Sequence, residues 1–306
     1  MPGLTESDLP LEELERYRPE RREPTDFDGF WASTLDEAAQ HPLDVSVTPL
    51  ASPLVTLEAF EVSFRGVDGE PVGALLVRPR EAAEARPCVV EFCGYTGARG
   101  NVLESLAWAS AGYVNLVVEP RVSGRALEGL EAPERYHYRR VFANAVRAVR
   151  AARELHGVDA DRIAVAGASQ GGLISLAAAG LAPDAVAAVV AYVPFGCYYE
   201  RSLRIASEGP YALITEHLRW YRTTIEQAHR TLSYFDGMHF AARSRAPGLF
   251  TAALRDPICP PSTVFATANH YGGPHEMRVW PYAGHEGGES DQSMAGIEFV
   301  GRTLAA

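Results

Sequence analysis

Ser169 sits in the run Gly167-Ala168-Ser169-Gln170-Gly171-Gly172. A hydroxyl is a weak nucleophile until a neighbouring base takes its proton, and its attack on a carbonyl needs donors for the oxygen that becomes negative. The residues around Ser169 suit that chemistry. Arg162-Ile163-Ala164-Val165-Ala166 reads as a short buried strand, and residues 173–181, rich in Ala and Leu, read as a helix. A sharp strand-to-helix turn lifts the serine clear of the sheet, and glycines two residues to either side avoid the collisions such a turn imposes. The backbone N–H of Gln170 then opens a helix, where the helix dipole helps it stabilise negative charge.

The remaining parts of such a site are a base, an acid to orient it and a second oxyanion donor. Of nine histidines, only His285 has a Gly-flanked setting (Gly284-His285-Glu286-Gly287-Gly288) just past a strand, read over residues 277–281. His270 and His275 lie on or beside the preceding helix and read as surface residues. Asp256 follows the apolar run 247–254, at the carboxyl end of a strand, where sites of open parallel sheets form. Asp236, Glu276 and Asp291 lack that placement. The strand at residues 87–92 ends at Cys93-Gly94-Tyr95-Thr96-Gly97, and the N–H of Tyr95 is the candidate second donor. The chain order Ser169, Asp256, His285 is that of the α/β-hydrolase fold.

The elements that must hold these residues are legible in outline. Residues 11–18 read as a short helix, and a second runs from Asp26, as N-cap, to about Gln40, with Phe27, Phe30 and Trp31 on one face. Residues 55–65 and 70–78 alternate about Gly66-Val67-Asp68-Gly69 and predict an antiparallel hairpin. Strands are expected at 87–92, 113–119, 162–166, 185–193, 247–254 and 277–281. Helices are expected at 102–111, 134–155, 173–181 and 261–271. The 134–155 helix turns Tyr138, Val141, Val146 and Val149 inward and its arginines outward. The expectation is a single α/β-hydrolase domain over residues 1–306, with a mostly parallel central sheet flanked by helices. An N-terminal helical extension covers residues 1–50. A lid-like helical insertion near the active site covers residues 195–235 and carries Tyr198, Tyr199, Tyr211, Trp220 and Tyr221. Most of these aromatics read individually as glue between insert and core, with stacking on sugar rings the alternative.

Composition narrows the class. A hydrophobic fraction of 47% with 22% charged residues is that of a soluble globular protein. A net charge of −11 argues against nucleic acid or an anionic membrane as partner. The N-terminal residues show no apolar signal-peptide core. Cys88, Cys93, Cys197 and Cys259 form no C-x-x-C pair, so neither a metal site nor a disulfide framework is expected. Free thiols fit a reducing compartment, hence a cytoplasmic location. The chemistry assembled above requires no cofactor.

Longer runs carry a family resemblance over nearly the whole chain. These are Leu11-Glu12-Glu13-Leu14, Asp26-Phe27, Phe30-Trp31, Gly94-Tyr95-Thr96-Gly97, Tyr138-Arg139-Arg140-Val141-Phe142 and Gly167 to Gly172. Thr231-Leu232-Ser233-Tyr234-Phe235-Asp236, Ile258-Cys259-Pro260-Pro261-Ser262-Thr263-Val264-Phe265-Ala266 and His285-Glu286-Gly287-Gly288 complete the set. The chain resembles carbohydrate esterase family seven, the acetyl xylan esterases and cephalosporin C deacetylases. The resemblance implies a serine esterase that removes acetyl groups from small substrates such as xylo-oligosaccharides or cephalosporin C. It implies Ser169 as nucleophile, His285 as base, Asp256 as its orienter, and the N–H groups of Tyr95 and Gln170 as oxyanion hole. It also implies a homo-oligomer, a ring-shaped hexamer that restricts entry to small substrates.

The sequence departs from the family pattern in four places. Arg121-Val122-Ser123-Gly124 replaces Arg-Gly-Gln-Gly, Cys93 replaces a histidine, and Asn144 stands where aspartate is common. The long arm that builds the hexamer is reduced to residues 125–135. Other readings of the same residues are another hydrolase on this fold (lactonase, thioesterase or peptidase) and a non-catalytic ligand-binding protein. Cys93 or Cys259 as a catalytic thiol is a third, and neither occupies the elbow.

Overall fold

The computed structural model describes residues 8–80, 84–95, 97, 99–120 and 124–305. Nine strands form one sheet: β1 (Ser46–Leu50), β2 (Leu57–Arg65), β3 (Pro71–Pro79), β4 (Arg86–Phe92), β5 (Val114–Val118), β6 (Val158–Ala168), β7 (Ala188–Tyr192), β8 (Gly248–Ala253) and β9 (His275–Trp280). Their order is β1-β2-β3-β5-β4-β6-β7-β8-β9. The first three pairings are antiparallel and the rest parallel. β4, β6, β7 and β8 are near-continuous apolar runs because both faces of this part of the sheet are covered. The parallel strands end on the side where residues 93–95, Ser169, 254–256 and 281–285 emerge.

Eleven helices occur among the described residues: α1 (Leu11–Leu14), α2 (Phe27–Ala39), α3 (Leu106–Ser110), α4 (His137–Glu154), α5 (Gln170–Leu181), α6 (Tyr199–Ile205), α7 (Gly209–Trp220), α8 (Ile225–Ser233), α9 (Gly237–Ala241), α10 (Pro261–Asn269) and α11 (Glu289–Leu304). The expected hairpin and six strands are present within a few residues. Two elements carry no clear signal in the sequence. β1 is a mostly exposed edge strand interrupted by Pro49, with no apolar alternation to announce it. α11 lies beyond the last candidate site residue and docks Ala295, Phe299 and Val300 on Trp108, Val190 and Tyr192.

Other expectations need correction. The first helix is one turn, Leu11–Leu14, rather than residues 11–18. Asp26 holds the N-cap position of α2, but its side chain accepts from the Tyr234 hydroxyl (2.6 Å) instead of capping. The arginines of α4 are not all outward. Arg147 is buried, and its guanidinium donates to the carbonyls of Arg65, Ala38, His41 and Pro42. It thereby neutralises the carbonyl-rich C-terminal end of α2 and the end of β2.

The aromatic face of α2 packs as expected. Phe27 and Trp31 are buried among Phe142, Phe235 and Phe240, and the Trp31 indole donates to the Tyr234 carbonyl (3.0 Å). Residues 195–235 contain α6, α7 and α8. Tyr199 and Tyr211 are buried against Phe195, while Trp220 and Tyr221 are exposed. No helix among the described residues is long and apolar enough to cross a membrane.

Candidate active site

β6 passes into α5 at Ser169, whose backbone has φ 55° and ψ −118°. A non-glycine residue rarely adopts that conformation, and bonds on both sides hold it. The Ser169 N–H donates to Tyr192 O (2.8 Å), and its carbonyl accepts from Phe195 N (2.9 Å) and Leu173 N (3.2 Å). The flanking glycines have steric reasons. A Cβ at Gly167 would collide with the backbone of Gly171, and one at Gly171 with the Phe92 carbonyl oxygen. Only glycines let the elbow close this tightly against the end of β4. Gln170 is the first residue of α5, so its N–H belongs to the first turn, which the helix cannot pair internally.

Asp256 and His285 meet at the ends of β8 and β9. Asp256 is 1% exposed. Its Oδ1 accepts from Ile258 N (2.8 Å) and Cys259 N (2.9 Å), and its Oδ2 lies 2.8 Å from His285 Nδ1. The buried carboxylate thus has partners on both oxygens. An Nδ1–H pointed at Asp256 leaves Nε2 of the half-buried His285 as the basic nitrogen. The loop is fixed by Gly284 N donating to Glu286 Oε1 (2.9 Å) and by Gly287 at φ 58°.

Cys259 joins this group. Its Sγ, an imidazole nitrogen of His285 and a carboxylate oxygen of Asp256 all lie within 4.8 Å of one another. Cys259 is thus a common neighbour of Asp256 and His285. Burial, then the charge of Asp256, pushes its pKa well above the ordinary thiol value, so it remains a neutral thiol. Cys93 is pushed up to about 12, chiefly by burial. Neither matches a low-pKa catalytic thiol. Asp256, Cys259 and His285 could together ligate a thiophilic cation, but only by giving up the hydrogen bonds just described.

Tyr95 follows β4 in the loop beside the elbow, and its hydroxyl accepts from Gly124 N (3.1 Å). Thr96 of this loop, Ala98 beyond it and the Arg121-Val122-Ser123 departure lie outside the described residues. Asn144 serves the scaffold. Its Oδ1 accepts from Val67 N (2.8 Å) and fixes the turn between β2 and β3. Among the competitors, Asp236 accepts from the N–H groups of Tyr198, Tyr199 and Met238, and Glu276 pairs with Arg302. His270 is half-buried, with Nε2 on the Pro19 carbonyl (2.7 Å), whereas His275 is exposed as expected.

Tyr138 reads from the sequence as a core residue only. In the structure its hydroxyl donates to Gln170 Oε1 (2.7 Å), directly behind the elbow. A tyrosine at the start of a helix gives no signal of that partner.

A family model described as acetyl xylan esterase (AXE1) matches residues 4–302. The chain belongs to the acetyl xylan esterase family. Its fold is that of the α/β-hydrolases. A solved acetyl xylan esterase from Paenibacillus sp. R4 superposes with a TM-score of 0.92 at 36% identity, covering 96% of this chain and 100% of that one. Acetyl xylan esterase 1 from Thermoanaerobacterium sp. JW/SL YS485 gives 0.85 at 28% identity, covering 96% and 99%. The acetyl esterase Axe7A of Xylanibacter ruminicola is 25% identical over 297 residues, 89% of this chain. The match spans 65% of that relative's own length. Members of this family are carboxylic ester hydrolases.

Proposed function

We propose that this acetyl xylan esterase family member is a serine esterase that removes acetyl groups from small acetylated carbohydrates, through an acetyl-serine intermediate. One observation supports this above others. A serine in the strained elbow conformation and a buried carboxylate 2.8 Å from an imidazole nitrogen all follow the same ends of adjoining parallel strands. In this reading His285 Nε2 takes the Ser169 proton as Oγ bonds to the acetyl carbon. The carbonyl π pair moves to oxygen and is received by the N–H groups of Tyr95 and Gln170. Losing one such donor typically costs about 2.7–4 kcal/mol. His285 then protonates the departing alcohol, and water repeats the sequence to release acetate. Asp256 keeps the imidazole in the required tautomer and stabilises its charged form.

The acidic surface fits neutral carbohydrate esters better than nucleic acid or anionic membranes. Four free cysteines suit a reducing compartment, and we place the protein in the cytoplasm. α6–α8 are the candidate cover of the site. Any homo-oligomer would be built otherwise than through a long arm.

The test is hydrolysis of p-nitrophenyl esters from acetate to octanoate by wild type and Ser169→Ala. The expected result is a steep fall beyond acetate, and a loss of about 10⁶-fold in kcat for the variant with its melting temperature retained. Turnover by Ser169→Ala at the wild-type rate would refute the assignment.

A further inference from the structure

Gln170 is 0% exposed, so its side-chain amide must find partners within the protein. Oε1 accepts from the Tyr138 hydroxyl at 2.7 Å, while Nε2 has no partner among the described residues. The bond to Tyr138 is therefore the one polar tie on that side chain among the described residues. Tyr138 is itself fully buried, and burial holds its phenol neutral and donating far above any working pH. Its ring stacks on Tyr136 (5.2 Å, 25° between planes), and the Tyr136 hydroxyl donates to Ala126 O (3.0 Å).

The other oxyanion candidate is tied to the same segment. Tyr95 accepts at its hydroxyl from Gly124 N. Residues 124–136 thus reach Gln170 through Ala126, Tyr136 and Tyr138, and reach Tyr95 through Gly124. The segment is stiff. Ala126 and Leu130 are buried, Tyr136 N donates to Ala132 O (3.0 Å), and His137 N donates to Glu128 O (3.0 Å). Gly129 has φ 77° and packs so closely on Arg135 that a Cβ there would collide with its carbonyl.

We propose that residues 124–136 brace the oxyanion hole from behind, with Tyr138 as the positioning residue for Gln170 and Gly124 as the anchor for Tyr95. The inference rests on the reading of Tyr95 and Gln170 as oxyanion donors. Neither tyrosine hydroxyl touches substrate in this proposal. Each sets the direction of a main-chain N–H, and so acts where negative charge develops.

The test uses Tyr138→Phe, Tyr95→Phe and the double variant in the full chain. Kinetics on p-nitrophenyl acetate are paired with inhibition by trifluoroacetone. Ser169 Oγ adds to that ketone, its proton passes to His285, and the carbonyl oxygen becomes an oxyanion. Each single variant is expected to lose about tenfold in kcat with KM within about twofold, the size of one misdirected hydrogen bond. The inhibition constant is expected to rise by the same factor as kcat falls. Because one segment holds both anchors, the double variant is expected to lose less than the product of the singles. A drop in melting temperature with kcat and trifluoroacetone affinity unchanged would overturn the brace, as would strictly multiplicative losses. Should Tyr138→Phe fail to fold, Tyr95→Phe alone decides through the parallel movement of kcat and inhibition. Failure of the underlying triad reading would show separately, as activity in Ser169→Ala.

Discussion

Two helices, α4 and α5, pack against each other and against β4 and β6, yet they are set in place by different physics. α5 is positioned by steric exclusion at its start. Gly167, Gly171 and Gly172 allow its first turn to press on Phe92, Cys93 and Pro194, and Ser169 takes up the strain. α4 is positioned by one buried cation. Arg147 gathers four main-chain carbonyls from segments up to 109 residues away. The first device is local in sequence and carries the proposed nucleophile. The second is long-range and carries stability, since a buried guanidinium is tolerated only where such acceptors surround it. Because the scaffold device lies apart from the elbow, it can be broken without disturbing the candidate site.

Gly171→Ala gives the largest effect. The added methyl has backbone on its far side, so the elbow must open. The expected outcome is loss of esterase activity together with about 3 kcal/mol or more of stability, read from denaturant midpoints beside steady-state rates. A folded, fully active Gly171→Ala would show that the elbow does not depend on that contact.

Arg147→Met sharpens the other half. It leaves four carbonyls without their donor and is expected to cost about 2–4 kcal/mol. Activity per folded molecule should remain at the wild-type level below the unfolding transition. An Arg147→Met protein with unchanged stability and reduced kcat would contradict the division.

The smallest effect concerns His239, a second group on the scaffold side. It is 2% exposed, edge-on to Phe27 at 5.5 Å, with Nδ1 4.0 Å from Glu23 Oε2. Burial lowers its pKa from 6.5 to about 4, against the raising effect of Asp236. The folded protein therefore binds this proton less readily than the unfolded chain. Its stabilising contribution is complete above pH 6.5 and is lost as the pH falls towards 4. His239→Gln should flatten the fall in melting temperature over that window, by about 1–3 kcal/mol in stability. An unchanged slope would mean the imidazole is not held neutral by its surroundings.

The same division governs how much could be read from the residues alone. Ser169, Asp256 and His285 each stand next to a strand end marked by apolar residues or glycine, so their placement is written within a few positions of each. The parallel strands are legible for the same reason, being short apolar runs with charge at their borders. Arg147 reads as one more outward arginine because its acceptors belong to α2 and β2. Tyr138 reads as core, since a hydroxyl's partner across 32 residues leaves no periodic trace. β1 is exposed and carries no alternation. Cys259 reads as a residue outside the elbow, and its place beside Asp256 and His285 depends on the loop after β8 folding back around Asp256.

The central claim is that Ser169 carries the acyl group between two half-reactions. The direct measurement is acid quenching of the protein during turnover of p-nitrophenyl acetate, followed by peptide mass spectrometry. The account predicts one added acetyl group on the peptide spanning Ala168 to Leu173, at Ser169, absent from Ser169→Ala. Full turnover with no acetyl adduct, or with the adduct on Cys259, would contradict it.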